Sequence, residues 1–148
     1  MEIYSSIPEA DSYFTERLNT SVWDNSDDTD KFKALAMATR AIDRLNYAGA
    51  KTDSDQELEF PRGEDVDVPE EIKIAAYECA LAFLDGVDPN MEIEHLAISS
   101  QGMAEARTTY DRAFALEHFR MGIPSATAWT FLKPYLRDPN YFTISRAN

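Results

Sequence analysis

Cysteine is nearly missing from this chain. Cys79 is the only one in 148 residues, so neither an intrachain disulfide nor a cysteine-based metal cluster can form. Long apolar runs are missing as well. The longest stretch without a charge, Met121 to Leu132, is too short to span a bilayer and is broken by Gly122 and Pro124, so no membrane partner is expected. Glu2, Glu9 and Asp11, with no basic segment before them, are unlike the start of a signal peptide. The sequence contains no phosphate loop, GxSxG, HExxH or dinucleotide fingerprint. His95 and His118 each follow a glutamate, but neighbouring side chains point in different directions and do not converge on one proton. Cys79 falls on the apolar stripe of a helix, where a thiol is inert. No catalytic residue, no metal site and no cofactor is expected, and the chain reads as a non-enzyme.

Positive charge is scarce too. Fourteen basic residues face 27 acidic ones, a net charge of −13. Residues 1–90 hold 8 basic and 21 acidic side chains, whereas residues 91–148 hold 6 of each. This asymmetry suggests two faces with different neighbours. Two acidic clusters invite a calcium reading, which requires glycine at the sixth loop position and glutamate at the twelfth. The run from Asp24 to Asp30 puts Thr29 and Leu35 there, and the run from Asp53 through Asp55 and Glu57 to Glu64 puts Leu58 in place of the glycine. Helix capping and solvation account for both clusters.

Helices dominate what is present. Ser6 and Glu9 form a capping-box pattern ahead of Ile7, Ala10, Phe14 and Leu18 at helical spacing. A second helix is predicted over roughly 28–46, with Phe32, Leu35, Ala38, Ile42 and Leu45 on one stripe. Residues 47–67 form a connector with a short extended piece at Leu58–Pro61. The third helix opens at Pro69 beside Glu70 and Glu71, and Gly86 ends it. Its apolar face should meet the second helix, bringing Phe32, Leu35, Ile42, Ile72, Cys79 and Phe83 together. Further on, His95–Ser99 and Ala104–Tyr110 around Ser100-Gln101-Gly102 read as a hairpin, although Met103–Phe119 also fits one long helix. Asp111–Arg120 reads as a short helix stopped by Gly122. Ser125 caps a last one through Ala128, Trp129 and Leu132, disturbed by Pro134. The expected fold is mainly α: a bundle of about four to five helices in one domain, residues 1–137, with a short β-hairpin within 93–110. An extended C-terminal tail, residues 138–148, follows.

Aromatic residues cluster outside the long helices: Tyr4, Trp23, Tyr47, Phe60, Trp129, Phe131, Tyr135, Tyr141 and Phe142. Tyr141 and Phe142 lie in a tail without periodicity, and aromatics are enriched at protein interfaces.

Several segments carry a family resemblance. They are Ser6 to Phe14, the Trp23 loop, Ala34 to Asp43, the connector Lys51 to Arg62 with its Gln-x-Leu-x-aromatic-Pro-Arg element, and Val68 to Lys73. In this order they resemble the head-to-tail adaptor (head-completion) proteins of tailed phages, many of which carry the label DnaT-like single-stranded-DNA-binding protein. Phe60 stands where family members often have tryptophan, and the C-terminal tail has no counterpart. The adaptor resemblance implies a structural virion protein of the neck, made in the host cytoplasm. It would form a ring, in such adaptors usually of twelve copies, between the portal protein and the tail or nozzle protein, crossed by DNA during genome ejection. It further implies a portal-docking tail through Tyr141, Phe142, Ile144 and Arg146, and an oligomer or tail interface through Trp129, Tyr135, Phe60 and Arg62. An acidic channel wall would let DNA slide without binding. The alternative is the DNA-binding label itself. A single-strand binder needs a basic groove with interleaved aromatics, and Arg107, Arg112, Arg120, Lys133 and Arg137 are candidates for one. The net charge leads instead to an expectation of no binding to single-stranded DNA at physiological salt.

Overall fold

The computed structural model describes residues 1–95 and 117–138. Among these, the chain is mainly helical, with α1 at Ile7–Thr15, α2 at Ser21–Asp24, α3 at Asp28–Asp43 and α4 at Glu70–Leu84. Residues 89–95 are helical, and α5 (Glu117–Arg120), α6 (Ala126–Leu132) and a 3-10 turn at Lys133–Tyr135 complete the described part.

The capping signals are realised locally. Ser6 caps α1, its hydroxyl accepting from Glu9 N–H while the Glu9 carboxylate accepts from Ser6 N–H at 3.0 Å. Asp27 caps α3 by accepting from Asp30 N–H at 2.8 Å, and Ser125 caps α6. Gly86 and Gly122 have φ of +88° and +80°, the left-handed conformation that glycine adopts without a Cβ penalty. Each closes a paired C-terminal turn: Gly86 N–H bonds Phe83 O and Val87 N–H bonds Ala82 O, while Gly122 and Ile123 repeat the arrangement on Phe119 and His118.

Glu9 also accepts from the Ser5 hydroxyl at 2.7 Å and from Lys73 at 3.2 Å. The Ser6 backbone bond is the largest cause holding its carboxyl down at about 2, against an ordinary value of 4.5. A depressed carboxyl contributes stability that is present above pH 4.5 and lost as pH falls toward 2. Glu9 is half exposed, so solvent screening keeps the effect below about 1 kcal/mol. Glu9→Gln should flatten the acid limb of a stability–pH curve in that window, and an unchanged limb would assign the acid sensitivity to other carboxyls.

α4 is the centre of the fold. It packs most extensively against α3 and α6, and also touches α1 and α2. A helix covered on so many sides needs apolar residues nearly all round. Accordingly Ile72, Ala75, Ala76, Tyr77, Cys79, Ala80 and Leu81 are all buried. Small buried residues on α3 (Ala34, Ala38, Ala41) and on α4 (Ala75, Ala76, Ala80) let the two backbones approach.

Some expectations need correcting. Leu18 is 82% exposed because α1 stops at Thr15, before the next turn of the apolar stripe. Phe32 is 44% exposed: it lies one residue off the line through Leu35, Ala38 and Ile42, and the core closes without it. Phe83 is only partly buried. His95 is helical rather than extended. The rest of the expected hairpin and the tail beyond Asp138 lie outside the described residues.

The connector is ordered by polar anchors. Asp43, at the end of α3, accepts from the Tyr4 hydroxyl and from Glu59 N–H, and the Tyr4 oxygen accepts from Phe60 N–H at 3.3 Å. Burial raises the Asp43 carboxyl, against the lowering effect of these two hydrogen bonds. Isolated bridges pair Lys51 with Arg62 and Tyr47 with Leu136.

Candidate functional site

Most cations among the described residues already have carboxylate partners. Arg17 pairs with Glu78, Lys31 with Asp11, Lys51 and Arg62 with Glu59, Lys73 with Glu9, and Lys133 with Glu117. Lys33, Arg40 and Arg44 are different: they are exposed and make no ion pair among the described residues. All three are on α3 or its C-cap. Residues 33, 37, 40 and 44 fall within about 60° of one another at 3.6 residues per turn, so Met37 shares their face. Arg40 and Arg44 also lie at the negative end of the helix dipole, which favours cations there whatever else they do.

This face borders a groove of about 450 Å³ between α3 and the turn after α4. Met37, Arg40, Arg44 and Phe83 line it, together with two left-handed glycines, Gly86 and Gly122. No atom outside the immediate chain neighbours lies within 4 Å of where a Cβ would stand on either glycine, so that part of the wall is bare backbone. Asp88 is the acidic member of the lining. Its carboxylate accepts from Asn90 N–H at 3.0 Å, at the start of the helical residues 89–95. The groove thus offers two guanidinium groups, one aromatic ring and one thioether. Arginine binds phosphate oxygens through its planar fork, and an aromatic ring provides a surface on which a base can stack.

The residues singled out from sequence are placed elsewhere. Phe60 is 2% exposed and meets Tyr47 and Tyr135 edge-on at 4.6 and 5.4 Å between ring centroids. Arg62 donates to Glu59 Oε2 at 2.7 Å and to the carbonyls of Ala48 and Gly49, which fastens the connector. Tyr135 donates to Glu71 at 3.3 Å. Trp129 is largely buried, its indole N–H donating to Glu117 at 3.1 Å, beside a second groove of about 540 Å³. Lys133 also binds Glu117, and these two bonds hold that carboxyl below the usual range. Among the described residues, the structure therefore does not gather Phe60, Arg62, Trp129 and Tyr135 into one exposed patch. Tyr141, Phe142, Ile144 and Arg146 lie outside the described residues, as do Arg107 and Arg112 of the basic set, while Arg120 and Arg137 have interaction partners of their own. Sequence reasoning overlooked Lys33, Met37, Arg40 and Arg44, although their spacing of four, three and four residues inside a predicted helix was a usable signal.

Residues 1–147 match the model of the protein family described as "Putative DnaT-like ssDNA binding protein". No curated protein and no solved structure matches the chain. The family match overturns the adaptor reading. The structural virion role, the ring, the portal and tail partners, and DNA that passes without binding all rested on the adaptor resemblance. The match instead supports what stood as the alternative. The expectation of no binding came from net charge, which averages over the whole surface and is blind to three cations collected on one helix face.

Proposed function

The chain belongs to the DnaT-like single-stranded-DNA-binding family, and on that premise we propose that it binds single-stranded DNA in the groove between α3 and α4. The observation that carries the choice of site is the cation stripe of Lys33, Arg40 and Arg44, free of ion pairs among the described residues, whose two arginines line the groove together with Phe83. The guanidinium groups bind phosphates, and Phe83 with Met37 supplies a face for a base. The reading is of a binding protein and not of an enzyme. Net charge does not prevent it. The Debye length is about 8 Å at physiological ionic strength, so carboxylates elsewhere on the surface are largely screened at the groove.

Fluorescence anisotropy with a labelled oligothymidylate tests the proposal. Three phosphate contacts give a slope of log K against log salt of about −2 for a single strand. Arg40→Ala with Arg44→Ala should lower that slope in magnitude by about 1.4. Phe83→Leu should weaken binding by about 1–3 kcal/mol without altering the slope, because it removes stacking and not charge. No binding at low salt would refute the proposal, and binding indifferent to the double variant would place the site elsewhere.

A further inference from the structure

The described methionines lie at the surface. Of five in the sequence, the four among the described residues are all exposed: Met1 63%, Met37 42%, Met91 46% and Met121 44%. One of them belongs to the wall of the candidate groove. Met37 lines it, and the Met1 sulfur accepts a hydrogen bond from Arg40 Nη1 at 3.4 Å. Methionine that fills a core is buried; here the Met37 thioether is exposed in a groove that two arginines also line.

We propose that Met37 is an oxidation site that reversibly switches off nucleic-acid binding in this groove, an inference that rests on the binding reading above. Peroxide transfers one oxygen atom to the sulfur: the O–O bond breaks, an S–O bond forms, the sulfur loses two electrons and the peroxide leaves as water. The product sulfoxide is polar and is reduced back by methionine sulfoxide reductases. On α3 it stands between Lys33 and Arg40 on the cationic face. Its oxygen is a strong acceptor that competes with phosphate for the Arg40 guanidinium. Beside Phe83 it replaces an apolar surface by a hydrated dipole, against which a base packs poorly. Cys79 does not compete for the oxidant, because it is fully buried and burial pushes its thiol well above the usual range.

The test compares oligothymidylate affinity before and after mild hydrogen peroxide, with peptide mass mapping to confirm sulfoxide at residue 37. The wild-type protein should lose about tenfold in affinity and regain it after reductase treatment. Met37→Leu, which conserves volume and lacks the sulfur, is compared with its own untreated affinity, and peroxide should change that affinity by no more than about twofold. Wild-type affinity that survives confirmed Met37 oxidation overturns the switch alone. An equal loss in Met37→Leu also overturns it and assigns the effect to another residue. Absence of binding before any peroxide sinks the nucleic-acid reading and the switch together.

Discussion

Arg17→Ala should destabilise the protein by about 3–5 kcal/mol, the range for leaving one partner of a buried ion pair uncompensated. The reason lies in α4. Its central position surrounds Glu78, whose side chain is 2% exposed, with other helices. Arg17 reaches it with two bonds, Nε to Oε2 at 2.9 Å and Nη2 to Oε1 at 2.8 Å, and the Tyr13 hydroxyl donates a third at 3.0 Å. Burial, then the Glu78 charge, pushes the Tyr13 phenol up to about 12, so it stays a donor at neutral pH. Without Arg17 the carboxylate keeps one neutral donor and little water. Arg17 itself is 33% exposed, so the converse change, Glu78→Leu, leaves a cation that can still be solvated and should cost less. The double variant Arg17→Ala with Glu78→Leu should therefore recover most of the loss. Thermal melting of all four proteins reads the coupling. A loss under 1 kcal/mol in Arg17→Ala would mean that water in the adjoining cavity, which Arg17 and Glu78 both line, already solvates the carboxylate.

Trp23→Ala should cost a similar amount, about 3–5 kcal/mol, through lost transfer energy and the cavity left behind. Trp23 is 1% exposed and sits on a four-residue helix, too short to hold its shape without the side chain packed beneath it. Its ring lies 4.8 Å from that of Phe14, its indole N–H donates to Asp11 at 2.8 Å, and Lys31 stands 5.1 Å over its face while pairing with the same Asp11. One residue thus ties α1, α2 and the start of α3 together. Trp23→Phe keeps much of the ring and loses the N–H, so it should cost clearly less than the alanine variant. In urea the alanine variant should shift the midpoint on the order of 2 M at unchanged m-value. Equal losses for Phe and Ala would show that the Asp11 bond, and not packing, holds the corner.

The correction to function has an instructive physical origin. Charge composition is a global property, and at −13 it argued against a phosphate ligand. Binding is local on the scale of the screening length. Six ion pairs occupy six of the described cations, Arg17 taking the buried Glu78, and Arg120 and Arg137 have interactions of their own, which leaves Lys33, Arg40 and Arg44 to define one face. No count over the chain reveals which cations are neutralised by partners, because those partners are 3 to 64 residues away in sequence.

What this sequence determined by itself is whatever depends on near neighbours: the Ser6–Glu9 capping box, the Asp27 and Ser125 caps, the glycine stops at 86 and 122, and the apolar stripe of α4. These signals act within one or two helical turns, so periodicity and spacing are enough to read them. Tertiary structure alone decided that Phe32 stays at the surface and that Phe60 is buried between two tyrosines. It also decided that Arg62 staples a connector and that Asp43 gathers Tyr4 and Glu59. The candidate groove belongs to this second group, since its walls come from α3, the end of α4 and the turn at Gly122, segments far apart in the chain. Their meeting follows from how α4 is enclosed, a long-range packing outcome that no local pattern encodes.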